Sequence, residues 1–136
     1  MKTVRILILE DDIETLAFIT KRLYELEKEL GELGKKLLSI TILSEYTQVE
    51  KYINADKNLQ YDILILDRDD KIGGSFHTIN LGKFNLNHAI SISSIPNYNE
   101  EAVKKGIRKV IWKDYQNLEQ FSQDLARELK TIIEDI

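Results

Sequence analysis

The six residues VRILIL, Val4–Leu9, set a pattern that returns along the chain: short apolar runs separated by longer amphipathic stretches. Leu37–Leu43 (LLSITIL), Ile63–Leu66 (ILIL) and Ala89–Ile92 (AISI) repeat it, and Lys109–Trp112 (KVIW) is a weaker fifth. Runs this short, rich in Ile, Leu and Val and apolar at successive positions, predict strands of a parallel sheet covered on both faces.

Between the runs the apolar period lengthens to three and four. Ile13, Leu16, Ile19, Leu23, Leu26, Leu30 and Leu33 form one stripe, so a long first helix is expected. Asp12 is placed to cap it, and Gly31 or Gly34 to stop it. Tyr46–Ile53 predicts a shorter helix, and Asn99 before Glu100 and Glu101 predicts a capped start for Glu100–Lys105. Leu118, Phe121, Leu125, Leu129, Ile132 and Ile136 share one face of a last helix. The third unit is irregular: Gly73, Gly74 and Gly82 with several Asn residues predict a long loop and a shortened third helix.

The order β-α-β-α-β-(short)-β-α-β-α implies right-handed crossovers and a doubly wound, five-stranded parallel sheet of the α/β class. The first stripe, 18 residues to Leu30 or 21 to Leu33, would be about 27 to 32 Å long. A strand of ordinary length spans about 17 to 20 Å. Two outcomes stand open. Leu26, Leu30 and Leu33 extend past the sheet as an exposed patch for a partner or a second copy of the chain, or this end curls over Leu37 and Leu38.

Composition narrows the function classes. The 136 residues suit one domain over 1–136, with no linker composition and no appended output module expected. A net charge of −4 argues against nucleic acid as partner. The absence of cysteine excludes thiol chemistry and disulfides. The first apolar run is interrupted by Arg5 and followed by three acids, unlike a leader peptide. No run approaches the roughly 18 residues of a membrane span, so a cytoplasmic protein with no membrane contact is expected.

In doubly wound sheets, ligands bind at the carboxyl ends of the strands. Here those ends carry Glu10-Asp11-Asp12, Asp67, Ser93-Ser94 and Lys113. Crowded carboxylates repel, and a hard divalent cation with oxygen ligands relieves them. A carboxylate beside such a cation can act as a nucleophile toward phosphorus, and a lysine and a hydroxyl can receive the phosphoryl oxygens. Each residue has a plainer reading. Glu10, Asp11 and Asp12 may be read as a helix-capping cluster, Asp67 as a turn residue and Lys113 as a solvated lysine. Ser91, Ser93 and Ser94 all compete for the hydroxyl position. His77 and His88 lack metal-ligand spacing and read as loop residues.

RILILEDD, YDILILD, AISISS and GIRKVIWK together resemble the receiver family, the chemotaxis-type phosphoacceptor domains of two-component signalling. The resemblance covers nearly the whole chain and implies a flavodoxin-like topology. It implies Mg²⁺ as cofactor, held by Glu10, Asp11, Asp67 and the Asp69 main-chain carbonyl, with Asp11 a direct ligand. Asp67 would be phosphorylated, with Ser93 and Lys113 at the hydroxyl and lysine positions. A sensor histidine kinase or phosphotransfer protein would act upstream, and a protein target downstream. The chain departs from the family in three places. Arg68-Asp69-Asp70-Lys71-Ile72-Gly73-Gly74 stands where a proline usually follows the acceptor. Asp114 replaces the proline after the lysine, and Val110 stands at the position of a switching aromatic. Two other readings are a pseudo-receiver scaffold that is not phosphorylated, and a Toprim-like metal-dependent phosphotransfer enzyme or nuclease. The latter would use Glu10 with Asp67-Arg68-Asp69, although those folds place glycine where this chain has Asp11.

Overall fold

One parallel sheet runs through the computed structural model, which describes residues 2–32, 34, 36–68 and 74–136. Its strands are β1 (Lys2–Leu9), β2 (Lys36–Leu43), β3 (Ile63–Asp67), β4 (Ala89–Ser93) and β5 (Lys109–Trp112). They lie in the order β2-β1-β3-β4-β5. The chain winds outward from β1 in both directions, so the connections reverse between β1 and β3. This is the flavodoxin-like, doubly wound α/β fold, and the crevice beyond β1 and β3 is its switch point.

The alternation of Ile with Leu along the strands sorts them onto opposite faces. Val4, Ile6, Ile8, Ile63, Ile65, Ile90, Ile92 and Ile111 bury on one face. There they meet α1 (Ile13–Glu32) and α4 (Leu118–Glu134). Leu7, Leu9, Leu64 and Leu66 point to the other. Asp12 caps α1 as expected: its Oδ2 accepts Thr15 N at 2.9 Å and Thr15 Oγ1 at 2.6 Å. Ile13, assigned to the buried stripe, is instead 75% exposed. It is the first residue beyond the cap, and the buried stripe starts at Thr15. Gly34, at φ +66°, ends the turn after α1 in the left-handed region that glycine adopts freely.

The expected apolar patch at the far end of α1 does not form. Leu26 and Leu30 are 6% and 5% exposed and pack with Leu129, Ile132 and Ile133 of α4. The expectation underestimated the strands: β1 and β2 are eight residues each and pair from Lys2↔Lys36 onward. At about 3.3 Å per residue they nearly match a 20-residue helix. Leu38 packs against the same cluster. Leu37, paired with Thr3, belongs to the other face and is exposed. Leu33 lies outside the described residues.

The opposite face is covered by shorter pieces. α2 (Thr47–Val49) widens into a π-helical turn, Glu50–Asn54, together filling the region predicted as Tyr46–Ile53. Between β3 and β4 three 3-10 turns, Phe76–Thr78, Leu81–Lys83 and Leu86–His88, take the place of a helix. Ser75, Asn80 and Asn85 begin them, each accepting the amide two residues on at 3.0 to 3.1 Å. Phe76 and Ile79 bury against Leu64, Leu66 and Val49.

The helix expected from Glu100, capped by Asn99, begins earlier. α3 spans Pro96–Lys104, with Ile95 before it and proline in its first turn, where a missing N–H costs nothing. Asn99 is buried inside α3: it accepts Ser91 Oγ at 2.9 Å and donates to the Ile111 carbonyl at 3.4 Å. Asn117 caps α4 through Gln120 N, and the predicted face of α4 is buried from Leu118 to Ile132. At the outer edge of the sheet, Leu38 N donates to Glu27 Oε2 at 2.9 Å, beside exposed Ile40 and Ile42. Among the described residues no helix is long and apolar enough to cross a membrane.

Candidate functional site

β1 and β3 end side by side, and each releases a carboxylate at the switch point. Glu10 follows β1 and is fully buried. Its Oε2 accepts Asp11 N at 2.9 Å and Asp12 N at 3.2 Å, so the turn into α1 fixes the side chain that starts it. Asp67, the last residue of β3, is buried, as is Asp11. Carboxylate oxygens of Glu10, Asp11 and Asp67 lie within 4.8 Å of one another.

Lys113 enters from the end of β5. Its N–H donates to the Ser93 carbonyl at 2.9 Å, extending the β4–β5 ladder by one residue and aiming the side chain back across the crevice. The ammonium is 2.6 Å from Glu10 Oε1 and 3.4 Å from Asp67 Oδ1, and 5.2 Å from the Tyr115 ring centroid. Burial alone would lower the Lys113 pKa. The charges of Glu10 and then Asp67 outweigh burial and hold it above the ordinary lysine value.

Among the described residues, three carboxylates meet one ammonium here. Asp67 bears the consequence: burial first, and Glu10 second, push its carboxyl up to about 8 against the opposing pull of Lys113. A divalent cation with oxygen ligands fits this donor set, since carboxylate oxygens of three residues converge there.

The hydroxyl candidates separate. Ser91 is committed to Asn99, and Ser94 is half-buried, its carbonyl accepting Trp112 Nε1 at 3.3 Å. Ser93 is buried at the end of β4, and its Oγ accepts Ile95 N at 3.1 Å, a bond that leaves the hydroxyl hydrogen unspent. Asp69, named as a further ligand, lies outside the described residues. His77 is the middle residue of a 3-10 turn, its Nδ1 3.1 Å from Lys105 Nζ.

Arg68, directly after Asp67, was passed over as part of an irregular loop. Its Nε is 3.1 Å from Glu101 Oε2, and its guanidinium lies over the Tyr98 ring with Cζ 4.0 Å from the centroid. The sequence carried a partial signal, because Tyr98 and Glu101 are three apart and share a helix face. Val110 and Trp112 are exposed and flank an open groove of about 380 Å³ with Pro96, Asn99, Glu100 and Val103.

No protein-family model matches the sequence, and no curated protein matches it. Solved structures do. The chain is similar to HP1043, described as an orphan response regulator of H. pylori. That similarity has a TM-score of 0.53 and 14% identity and covers 93% of this chain and 96% of that one. It is also similar to the receiver domain of the Francisella response regulator 1452, at a TM-score of 0.51 and 21% identity, over 91% and 97% of the two chains. At these identities the comparison establishes the fold. The chain has the fold of a response-regulator receiver domain.

Proposed function

We propose that this protein is a phosphorylation-gated signalling module in which Asp67 accepts a phosphoryl group. The supporting observation is the convergence of buried Asp67 with Glu10, Asp11 and Lys113 at the switch point of a receiver fold. The donor is the phosphohistidine of a sensor kinase or phosphotransfer protein. An Asp67 carboxylate oxygen attacks phosphorus, and the new O–P bond forms as the P–N bond breaks; the departing imidazole keeps the electron pair and takes up a proton. Lys113 pairs with the developing charge on the phosphoryl oxygens, and the Ser93 hydroxyl donates its free hydrogen to one of them. Glu10 holds Lys113 in place and, with Asp11, Asp67 and the Asp69 carbonyl, forms the Mg²⁺ ligand set. Mg²⁺ held there would supply positive charge to the carboxylates and to the incoming phosphoryl group. The modified module then passes its state to a protein target by contact.

A second reading, a scaffold that is never phosphorylated, draws on the high Asp67 pKa, because a protonated carboxyl is not a nucleophile. Incubation with phosphoramidate and Mg²⁺ separates the two. The parent is expected to gain one phosphoryl mass, labile to hydroxylamine, and Asp67→Ala to gain none. A parent that stays unmodified leaves the scaffold reading. An Asp67→Ala variant that is still modified removes Asp67 from the role.

A further inference from the structure

α3 is held to the rest of the molecule by unusually little apolar contact. Its buried residues are Asn99 and Ala102, and Asn99 is held by hydrogen bonds to Ser91 and Ile111. At its end Lys105 Nζ lies 3.1 Å from His77 Nδ1, and on the acceptor side it is attached by Arg68. That residue is a junction. Its carbonyl accepts Phe76 N at 2.7 Å and Ser75 Oγ at 2.8 Å, fixing the start of the 3-10 segment. Its side chain reaches α3, with Nε on Glu101 and the guanidinium plane over Tyr98. Glu101 also faces Lys105 at 3.7 Å, so two cations share one carboxylate.

We propose that Arg68 is the positioning residue through which Asp67 controls α3: its guanidinium grips Tyr98 and Glu101 in the unmodified protein and is drawn off them by a phosphoryl group on its neighbour. The proposal rests on Asp67 being the phosphoacceptor. The competition favours the phosphoryl group for two reasons. Arg68 and Glu101 are 27% and 39% exposed, so solvent screens their attraction. A phosphoryl group carries close to two negative charges, about one more than the carboxylate it esterifies, and presents three acceptor oxygens, which a planar guanidinium binds in bidentate fashion. Glu101 loses less than the phosphoryl group gains, because Lys105 remains beside it. Once released, α3 has few buried apolar side chains to resist movement.

Amide hydrogen exchange over residues 96–104 tests the proposal, in the parent, Arg68→Gln and Glu101→Gln. Each is measured before and after phosphoramidate with Mg²⁺, with intact mass as an independent record of modification. Before modification both variants are expected to exchange at least threefold faster than the parent across α3, with β4 unchanged. After modification the parent should reach the variants' rate, while Arg68→Gln takes up the phosphoryl mass without further acceleration. Glu101→Gln breaks the same contact from an exposed position, which guards against a folding defect in the other variant. Equal α3 exchange in unmodified parent and Arg68→Gln removes the grip. An acceleration on modification as large in Arg68→Gln as in the parent removes Arg68 from the route. A parent that gains no mass removes the trigger and the phosphoacceptor reading, whereas a modified parent with unresponsive α3 defeats the coupling alone.

Discussion

On one face of the sheet, α1 and α4 lay 20 and 17 residues of helix over a row of isoleucines. On the other, a helix fragment, a π-helical turn, three 3-10 turns and the nine-residue α3 cover a row of leucines. Both faces are dry at β3 and β4, yet they are fastened differently. The first is held by side chains at helical spacing, with Leu26 and Leu30 of α1 in the same buried cluster as Leu129 and Ile132 of α4. The second relies on Asx turns, on Asn99 bonded inside the core, and on Arg68 at its rim. Cooperative packing makes a frame, and polar fastenings make parts that can be released singly. The acid cluster sits on the seam, with Glu10 and Asp11 leading into α1 and Asp67 leading toward the looser side.

Matched truncations should break this comparison most sharply. Phe121 and Phe76 are both buried, one on each face. Phe121→Ala should cost about 3–5 kcal/mol in denaturant unfolding. Phe76→Ala should cost less and should raise hydrogen exchange chiefly over residues 74–88; equal global losses would show that the faces are equally cooperative. On the seam, Lys113→Met removes the cation from buried Glu10 and Asp67, and about 3–5 kcal/mol should be lost at neutral pH. Mg²⁺ should return part of that loss.

Asp67→Asn should act in the opposite direction, stabilising the metal-free protein by about 1–3 kcal/mol at pH 8 and above, because it removes a poorly compensated buried charge. The sign follows from the pKa, which rises from 3.8 to about 8 on folding. Between those values the folded state holds a proton that the unfolded state has released. Stability from this group is therefore complete below pH 4 and declines as pH climbs through 8. The parent's unfolding midpoint should slope downward across that window, and the slope should flatten in Asp67→Asn. The smallest effect distinguishes the fastenings. Asp12→Ala should cost about 1 kcal/mol by uncapping α1, whereas Asn85→Ala, on an exposed 3-10 turn, should change global stability by a few tenths.

The better-packed face was also the more legible. Alternating Ile and Leu, and the three-and-four spacing from Leu16 and from Leu118, determine strands and long helices with little reference to the rest of the chain. The site was legible for a related reason: strand ends are easy to locate, and the strand order brings those of β1 and β3 together. The misreadings fell where polar residues act structurally. Lys2 and Lys36 lengthen strands that hydropathy alone ends sooner, and so a patch at Leu26 and Leu30 stood as one of two outcomes where none exists. Asn99 resembles a cap but serves as a buried hydrogen-bond partner, because Pro96 had already started α3. Arg68 was only partly readable, since the shared face of Tyr98 and Glu101 is local but its meeting with Arg68 is set by how α3 docks.

Glu27, whose carboxylate takes the Leu38 amide, bears on how this protein behaves when concentrated. β2 is a border strand of eight residues with Leu37, Ile40 and Ile42 open to water, the sort of border that recruits further strands edge to edge into aggregates. By satisfying one of the groups a foreign strand would need, and by placing a charge there, Glu27 makes recruitment costly at its first rung. A residue far from the acid cluster thus protects the open border of the sheet.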